Sequence, residues 1–242
     1  MGRLTVSAVP VLNDNYVWLI TNPDTGETAA VDPSVAEPVL QAVQDKGLRL
    51  TQVLNTHWHP DHTGGNEGIK SATGSTITAP AEAERVSKVD RIVSEGDRVS
   101  IAGSEAVVWD IPAHTAGHIA YYFEDEGMIF VGDTMFAMGC GRLFEGTAEQ
   151  MYANMKRIAD LPEDVRIYCG HEYTLANARF AAHFDPDNDA VARRLEDVAA
   201  LREEGRITLP TTVAEERATN PFVRASDVQE FARLRTEKDS FR

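Results

Sequence analysis

An apolar run, Gln52-Val53-Leu54-Asn55, leads directly into Thr56-His57-Trp58-His59-Pro60-Asp61-His62. Three histidines and an aspartate in so short a stretch call for a fold in which a buried strand ends at a cation-binding site. Alternate residues of extended chain share a face, so a strand ending at Asn55 delivers His57 and His59 to one side and turns Trp58 into packing on the other. Pro60 has no N–H and cannot continue a ladder, so the chain turns there. Asp61 and His62 then face a second point a few ångströms away. Four metal-capable side chains in one turn are costly to bury without a cation. The pattern predicts two metal sites, each served in part by this loop.

The chain alternates strands and helices up to the region of residue 171 and is helical beyond it. Leu4 to Pro10, Asn15 to Ile20 and Thr28 to Asp32 read as strands, with a turn at Asn22-Pro23-Asp24-Thr25-Gly26. Val35, Val39, Leu40 and Val43 recur at helical spacing and Gly47 ends that helix. A helix opens at Gly64-Gly65-Asn66, where the glycines serve either a close backbone approach to the metals or a tight turn. Ser75 to Ala79, Arg98 to Ala102, Ala106 to Ile111, His118 to Phe123, Met128 to Val131 and Val165 to Cys169 are of strand length, while Pro80 to Val93 reads as a short helix and loop. Thr147 caps a helix to Ala159. Glu172 to Phe184, Asn188 to Glu204 and Asp227 to Lys238 are helical. This order predicts an α/β domain over 1–171 and a helical domain over 172–242.

Composition narrows the partners. With 38 acidic against 23 basic residues, the net charge of −15 argues against nucleic acid and anionic membrane surfaces, which need clustered Lys and Arg. No run approaches a membrane-spanning length, and Met1-Gly2-Arg3-Leu4 enters a strand pattern without a leader's apolar stretch. Cys140 and Cys169 are too few for a disulfide framework. These features predict a cytoplasmic protein with two structural thiols, and a monomer is expected.

Three further segments extend the histidine loop: Ile111-Pro112-Ala113-His114-Thr115-Ala116-Gly117-His118, Phe130-Val131-Gly132-Asp133-Thr134 and Cys169-Gly170-His171-Glu172-Tyr173. Together with H-x-H-x-D-H they resemble the metallo-β-lactamase superfamily. Gly141-Arg142-Leu143-Phe144-Glu145-Gly146 and Leu234-Arg235-Thr236-Glu237-Lys238-Asp239 narrow the resemblance to its glyoxalase II, or hydroxyacylglutathione hydrolase, branch, from about Val9 to the C-terminus. The resemblance implies an αββα sandwich followed by a helical glutathione-binding domain. It places His57, His59 and His114 on one divalent metal, Asp61, His62 and His171 on another, and Asp133 between them. Ligand type leaves zinc, iron and manganese open, with zinc the first choice. His118 is expected to support rather than ligate, and His183 to lie on a helix surface.

The implied reaction is hydrolysis of S-D-lactoylglutathione to D-lactate and glutathione, the second step of methylglyoxal detoxification. A hydroxide between the metals, held by Asp133, Asp61 and His59, is the implied nucleophile. Arg142, Phe144, Tyr173, Arg235 and Lys238 fall at the family's glutathione contacts. Arg142 stands where some relatives have lysine, and Phe144 where some have tyrosine, which removes one hydroxyl contact. Arg235 and Lys238, three apart on a helix, are expected to reach one carboxylate. Two alternatives are the persulfide dioxygenase branch, with one iron, and a non-catalytic member that has lost its metals.

Overall fold

The computed structural model describes residues 4–241, so Met1 to Arg3 of the N-terminal reading and Arg242 of the helical segment lie outside the described residues. Two compact units form. One holds the chain up to Asp110 together with Gly117–Gly132, and the other holds Ile111–Ala116 and the chain from Asp133 onward. These units divide the chain elsewhere than at residue 171.

The first unit is built from β1 (Thr5–Val11), β2 (Asn15–Thr21), β3 (Glu27–Val31), α1 (Ala36–Asp45), β4 (Arg49–Leu54), the single turn α2 (Pro60–Thr63), α3 (Asn66–Thr73), β5 (Thr76–Ala79) and β6 (Arg91–Ile92). Their strands form a sheet in sequence order, β1 to β3 antiparallel and β3 to β6 parallel. Val39 and Val43 of α1 and Ile69 of α3 bury against Val9, Val17, Leu19, Ala30, Val53 and Ile77, which form one apolar face of this sheet. Then come β7 (Arg98–Ile101), β8 (Ser104–Asp110), β9 (Ile119–Phe123) and β10 (Met128–Gly132), an antiparallel run in a second sheet. The buried Tyr121 of β9 joins the two sheets of this unit: its hydroxyl lies 3.0 Å from the Asn55 carbonyl and 3.1 Å from that of Thr78.

Most expected elements form within two residues of their expected ends, and the exceptions have local causes. Pro80 to Val93 becomes a 3-10 turn at Ala81–Arg85 and then β6, too short to carry a period. Asp90 directs that strand, because its carboxylate accepts the Ile77 N–H at 2.8 Å and pairs with Lys70. The Lys70 hydrogen bond, then the Ile77 N–H, holds the Asp90 carboxyl below its ordinary pKa. Gly64 and Gly65 resolve the choice left open above. A Cβ at Gly64 would stand 2.6 Å from the Ser34 carbonyl oxygen, and one at Gly65 2.8 Å from that of Pro33. They let the turn after the histidines pack on the chain entering α1.

The second unit begins with the hairpin β11 (Met135–Phe136) and β12 (Gly139–Cys140), followed by α4 (Ala148–Ala159), β13 (Arg166–Cys169), α5 (Thr174–Phe184), α6 (Asp189–Glu203), β14 (Thr211–Thr212), α7 (Val213–Thr219), α8 (Pro221–Arg224) and α9 (Val228–Ser240). Thr147 and Gln150 form a capping box at α4, and Thr212 and Glu215 another at α7. Glu172 lies outside the expected helix because its carboxylate accepts the Thr208 N–H at 2.9 Å, and α5 starts at Thr174. The apolar faces of α5 and α6 bury Ala178, Ala181 and Val191 against Met138. Among the described residues no helix is long and apolar enough to cross a membrane.

Candidate metal centre

In the first unit the site grows from the ends of the parallel strands β3 and β4, where loops of an open α/β sheet gather ligands. The strand β4 stops at Leu54, so His57 and His59 meet through a loop rather than through strand alternation. Asp32, just past β3, organises that loop. One of its oxygens accepts the Thr56 N–H at 2.8 Å; the other accepts the Thr56 hydroxyl at 2.7 Å and lies 3.2 Å from His62 Nδ1. Since the Thr56 proton goes to Asp32, its oxygen accepts from His57 Nδ1 at 3.0 Å. His57 therefore has Nδ1 engaged and Nε2 available as a ligand. His57 Nε2 lies 3.1 Å from His59 Nδ1, and His62 Nε2 3.6 Å from Asp61 Oδ2.

Asp61 is itself held. Asn15 donates to its carboxylate at 3.2 Å and to its carbonyl at 3.1 Å, and the Ser34 hydroxyl donates to the same carbonyl. His118 is buried and its ring stacks on that of His57, with ring centres 4.6 Å apart. Trp58 packs under the Arg85 guanidinium at 5.3 Å.

In the second unit His114, Asp133 and His171 come together. His114 Nδ1 donates to the Arg142 carbonyl at 3.0 Å, so its Nε2 carries the lone pair and lies 3.4 Å from Asp133 Oδ2. His171 Nε2 lies 3.3 Å from the same oxygen. The His171 ring stacks on Tyr173 with centres 4.7 Å apart and planes 6° from parallel.

These distances test whether a cation fits. With Zn–N bonds of about 2.0–2.1 Å, two donors of a tetrahedral site stand roughly 3.3 Å apart, the length of the tetrahedral edge. The donor separations within each unit, 3.1, 3.3, 3.4 and 3.6 Å, bracket that edge. The donor set of imidazole and carboxylate, with no thiolate, suits a divalent metal. Cys140 and Cys169 are buried free thiols, and burial pushes Cys140 up to about 11, so neither is poised as a nucleophile.

All five expected substrate contacts belong to the second unit. Arg142, Phe144 and Arg235 line one cleft of about 510 Å³ with Thr236 and Asp239. Phe144 is exposed and its ring centre is 5.2 Å from that of His114. Tyr173 is on the edge of exposure beside His171. The expected convergence of Arg235 and Lys238 on one carboxylate is not the arrangement found. Arg235 is only 7 % exposed and directed at Cys140 and Asp239, while the Lys238 ammonium lies 5.6 Å from the Phe180 ring and 5.9 Å from that of Phe241. Burial, then Arg235, lowers the Lys238 pKa. His183 is exposed on α5, the helix surface expected of it, and its ring centre lies 5.3 Å from that of Phe241.

Sequence reasoning missed Asp32, Thr56 and Asn15, which hold the candidate ligands His57 and Asp61 without matching the motif. One signal was available for Asp32: it ends a buried strand immediately before Pro33, as the histidine loop follows another such strand.

Two sheets with imidazole and carboxylate donors at strand ends define a metal-dependent α/β protein of the metallo-β-lactamase class. Residues 12–171 match the metallo-β-lactamase superfamily, and residues 172–241 match the family described as hydroxyacylglutathione hydrolase C-terminus. The hydroxyacylglutathione hydrolase of Methylococcus capsulatus is 46% identical over 254 residues, covering 99% of both chains. That of Rhodospirillum rubrum is 47% identical over 256 residues, covering 100% of both. Among solved structures, ETHE1 from Myxococcus xanthus superimposes with a TM-score of 0.74 at 27% identity, over 96% of this chain and 90% of that one. BLEG-1 B3 metallo-β-lactamase, at 19% identity and TM-score 0.72, shares the fold, over 91% of this chain and 100% of that one. The chain belongs to the hydroxyacylglutathione hydrolase (glyoxalase II) family of the metallo-β-lactamase superfamily.

Proposed function

We infer that this protein is a metal-dependent hydrolase of S-(2-hydroxyacyl)glutathione thioesters, releasing glutathione and a 2-hydroxy acid, with S-D-lactoylglutathione as its substrate. Family membership over nearly the full length supports the activity. The observation that carries the substrate reading is the cleft of the second unit. Phe144 lines it while resting against His114, so a bound molecule can lie against Phe144 beside a metal ligand and reach the Arg142 guanidinium.

His57, His59 and His114 would hold one divalent ion, Asp61, His62 and His171 the other, with Asp133 shared. Zinc is the proposed metal, supported by donor separations near a tetrahedral edge. A two-metal site supplies an activated water near neutral pH and polarises the scissile carbonyl. The protein's own contribution is orientation. Asp32 and Thr56 orient His57, Asn15 fixes Asp61, and the Arg142 carbonyl fixes His114. The leaving thiolate needs little help from a protein acid, since a free thiol ionises near pH 8.5.

Arg142, Phe144, Tyr173 and Lys238 are the proposed glutathione contacts, with Arg235 in the cleft floor. Since all of them lie on one chain, a monomer suffices. Two buried free thiols agree with a cytoplasmic setting.

A substitution separates recognition from chemistry. The Arg142 side chain is 64% exposed and pairs with Asp239 at 3.5 Å, which leaves it accessible to a substrate carboxylate. Such a contact is made equally in ground and transition states, so Arg142→Ala is expected to raise KM with little change in kcat. A charge-assisted hydrogen bond discounted for this exposure gives roughly a three- to tenfold effect. Steady-state kinetics on lactoylglutathione and on a small uncharged thioester check it. An equal loss on both substrates would contradict a recognition role.

A further inference from the structure

We propose that Arg235 is a positioning residue for the metal ligand His114, acting through the hairpin β11–β12. This rests on the reading of His114 as a ligand. The hairpin spans Asp133 to Arg142, so each of its ends meets the metal site. At one end stands the Asp133 carboxylate. At the other, the Arg142 carbonyl accepts the His114 Nδ1–H at 3.0 Å and thereby points Nε2 at Asp133.

The two ends are locked together at Gly141. Its N–H donates to the Thr134 carbonyl at 3.0 Å, and a Cβ there would stand 1.9 Å from the Asp133 carbonyl oxygen. No other residue permits so close an approach.

What keeps the hairpin pressed into this position is a side chain far along the sequence. Arg235 Nη1 donates to the Cys140 carbonyl at 2.6 Å, one residue before Gly141. Its Nη2 donates to Asp239 at 3.0 Å, one turn further along α9, and the guanidinium carbon lies 5.2 Å from the Phe222 ring centre. A guanidinium that is 7 % exposed and spends both terminal nitrogens on the protein is set as a brace. Its planar fork meets a carbonyl and a carboxylate at once, which an ammonium on a flexible stem cannot reproduce. The helical segment therefore reaches the metal ligands as well as the substrate, by a path Arg235–Cys140–Arg142–His114 contained in one unit.

The test is zinc affinity of the metal-free full chain, measured by competition with a chromogenic chelator. Partners that orient a ligand typically contribute 10–100-fold in metal affinity. Arg235→Ala is expected to weaken zinc binding by about tenfold or more, and Arg235→Lys to recover part of it by reaching Cys140 alone. Val198→Ala, a truncation of a buried side chain in α6, is expected to lower thermal stability and to bind zinc as the parent does. Parental zinc affinity in Arg235→Ala, with only KM for the glutathione thioester raised, would overturn the proposal. If Arg235→Ala does not fold, Arg235→Lys decides: weakened zinc binding supports the brace and parental affinity overturns it. His114→Ala tests the underlying reading separately, since parental zinc affinity there would remove His114 from the ligand set.

Discussion

Asp133→Asn is expected to leave a folded protein that hydrolyses lactoylglutathione on the order of a thousandfold more slowly. Asp133 Oδ2 faces two imidazole Nε2 atoms at 3.3 and 3.4 Å, a geometry that a shared cation holds together. Asparagine keeps the shape and loses the charge, so a cation there is held by neutral donors alone. Metal-ion catalysis supplies several kcal/mol of transition-state stabilisation, and each 1.36 kcal/mol is a factor of ten. Loss of about three such steps gives the expected factor. The fold survives because Asp133 lies just beyond β10 and its side chain faces the site, while the hairpin that follows is held through backbone groups. Zinc content, turnover and the thermal midpoint of the metal-free form are the measurements. Parental zinc content with near-normal turnover would remove Asp133 from the ligand set.

The second large effect is on stability. Glu216 is fully buried and is the centre of a network in the second unit. One oxygen accepts from Arg194 at 2.8 Å and from the Thr211 hydroxyl at 2.6 Å; the other accepts the Met138 N–H at 2.9 Å and the Asn220 amide at 2.7 Å. Asn220 in turn donates to the Gly139 carbonyl at 3.0 Å. Glu216→Ala leaves a largely buried guanidinium and several donors without their acceptor. Breaking a buried pair from one side costs about 3–5 kcal/mol, which lowers the melting temperature of a chain this size by roughly 6–20 °C. Glu216→Gln keeps an acceptor and is expected to lose less. A thermal midpoint unchanged in Glu216→Ala would show that the network contributes nothing net. Met138 lies in the hairpin turn and Gly139 starts β12, so the variant is also expected to bind zinc more weakly.

The candidate ligands were legible because their chemistry is local. His57, His59, Asp61 and His62 announce themselves by spacing alone, and the later segments supplied His114, Asp133 and His171 by resemblance. Strands such as β1, β2 and β10 were legible because long apolar or alternating runs carry a period. The hairpin β11–β12 was not, since strands of two residues have no period and its pairing is set by Glu216, Asn220 and Arg235 about eighty to a hundred residues away. Helices α7 and α8 escaped notice for a related reason: α7 is short with three buried positions, and α8 is a single turn begun by the Asn220 cap. Asp32 was read as the end of a strand, and only the fold shows its carboxylate meeting Thr56 and His62. Arg235 was placed correctly on the last helix, yet its direction depended on Cys140 and Asp239. Spacing on a helix gives the face of a side chain and not the partner it finds there.

The most direct test of the whole account is metal reconstitution followed by turnover. Protein stripped with a chelator is expected to show no hydrolysis of S-D-lactoylglutathione, monitored as released thiol. Zinc is expected to restore activity and to saturate at about two equivalents per chain, as a two-metal site requires, with no oxygen consumed. Hydrolysis by the metal-free chain, or activity that needs a single iron and takes up oxygen, would contradict it.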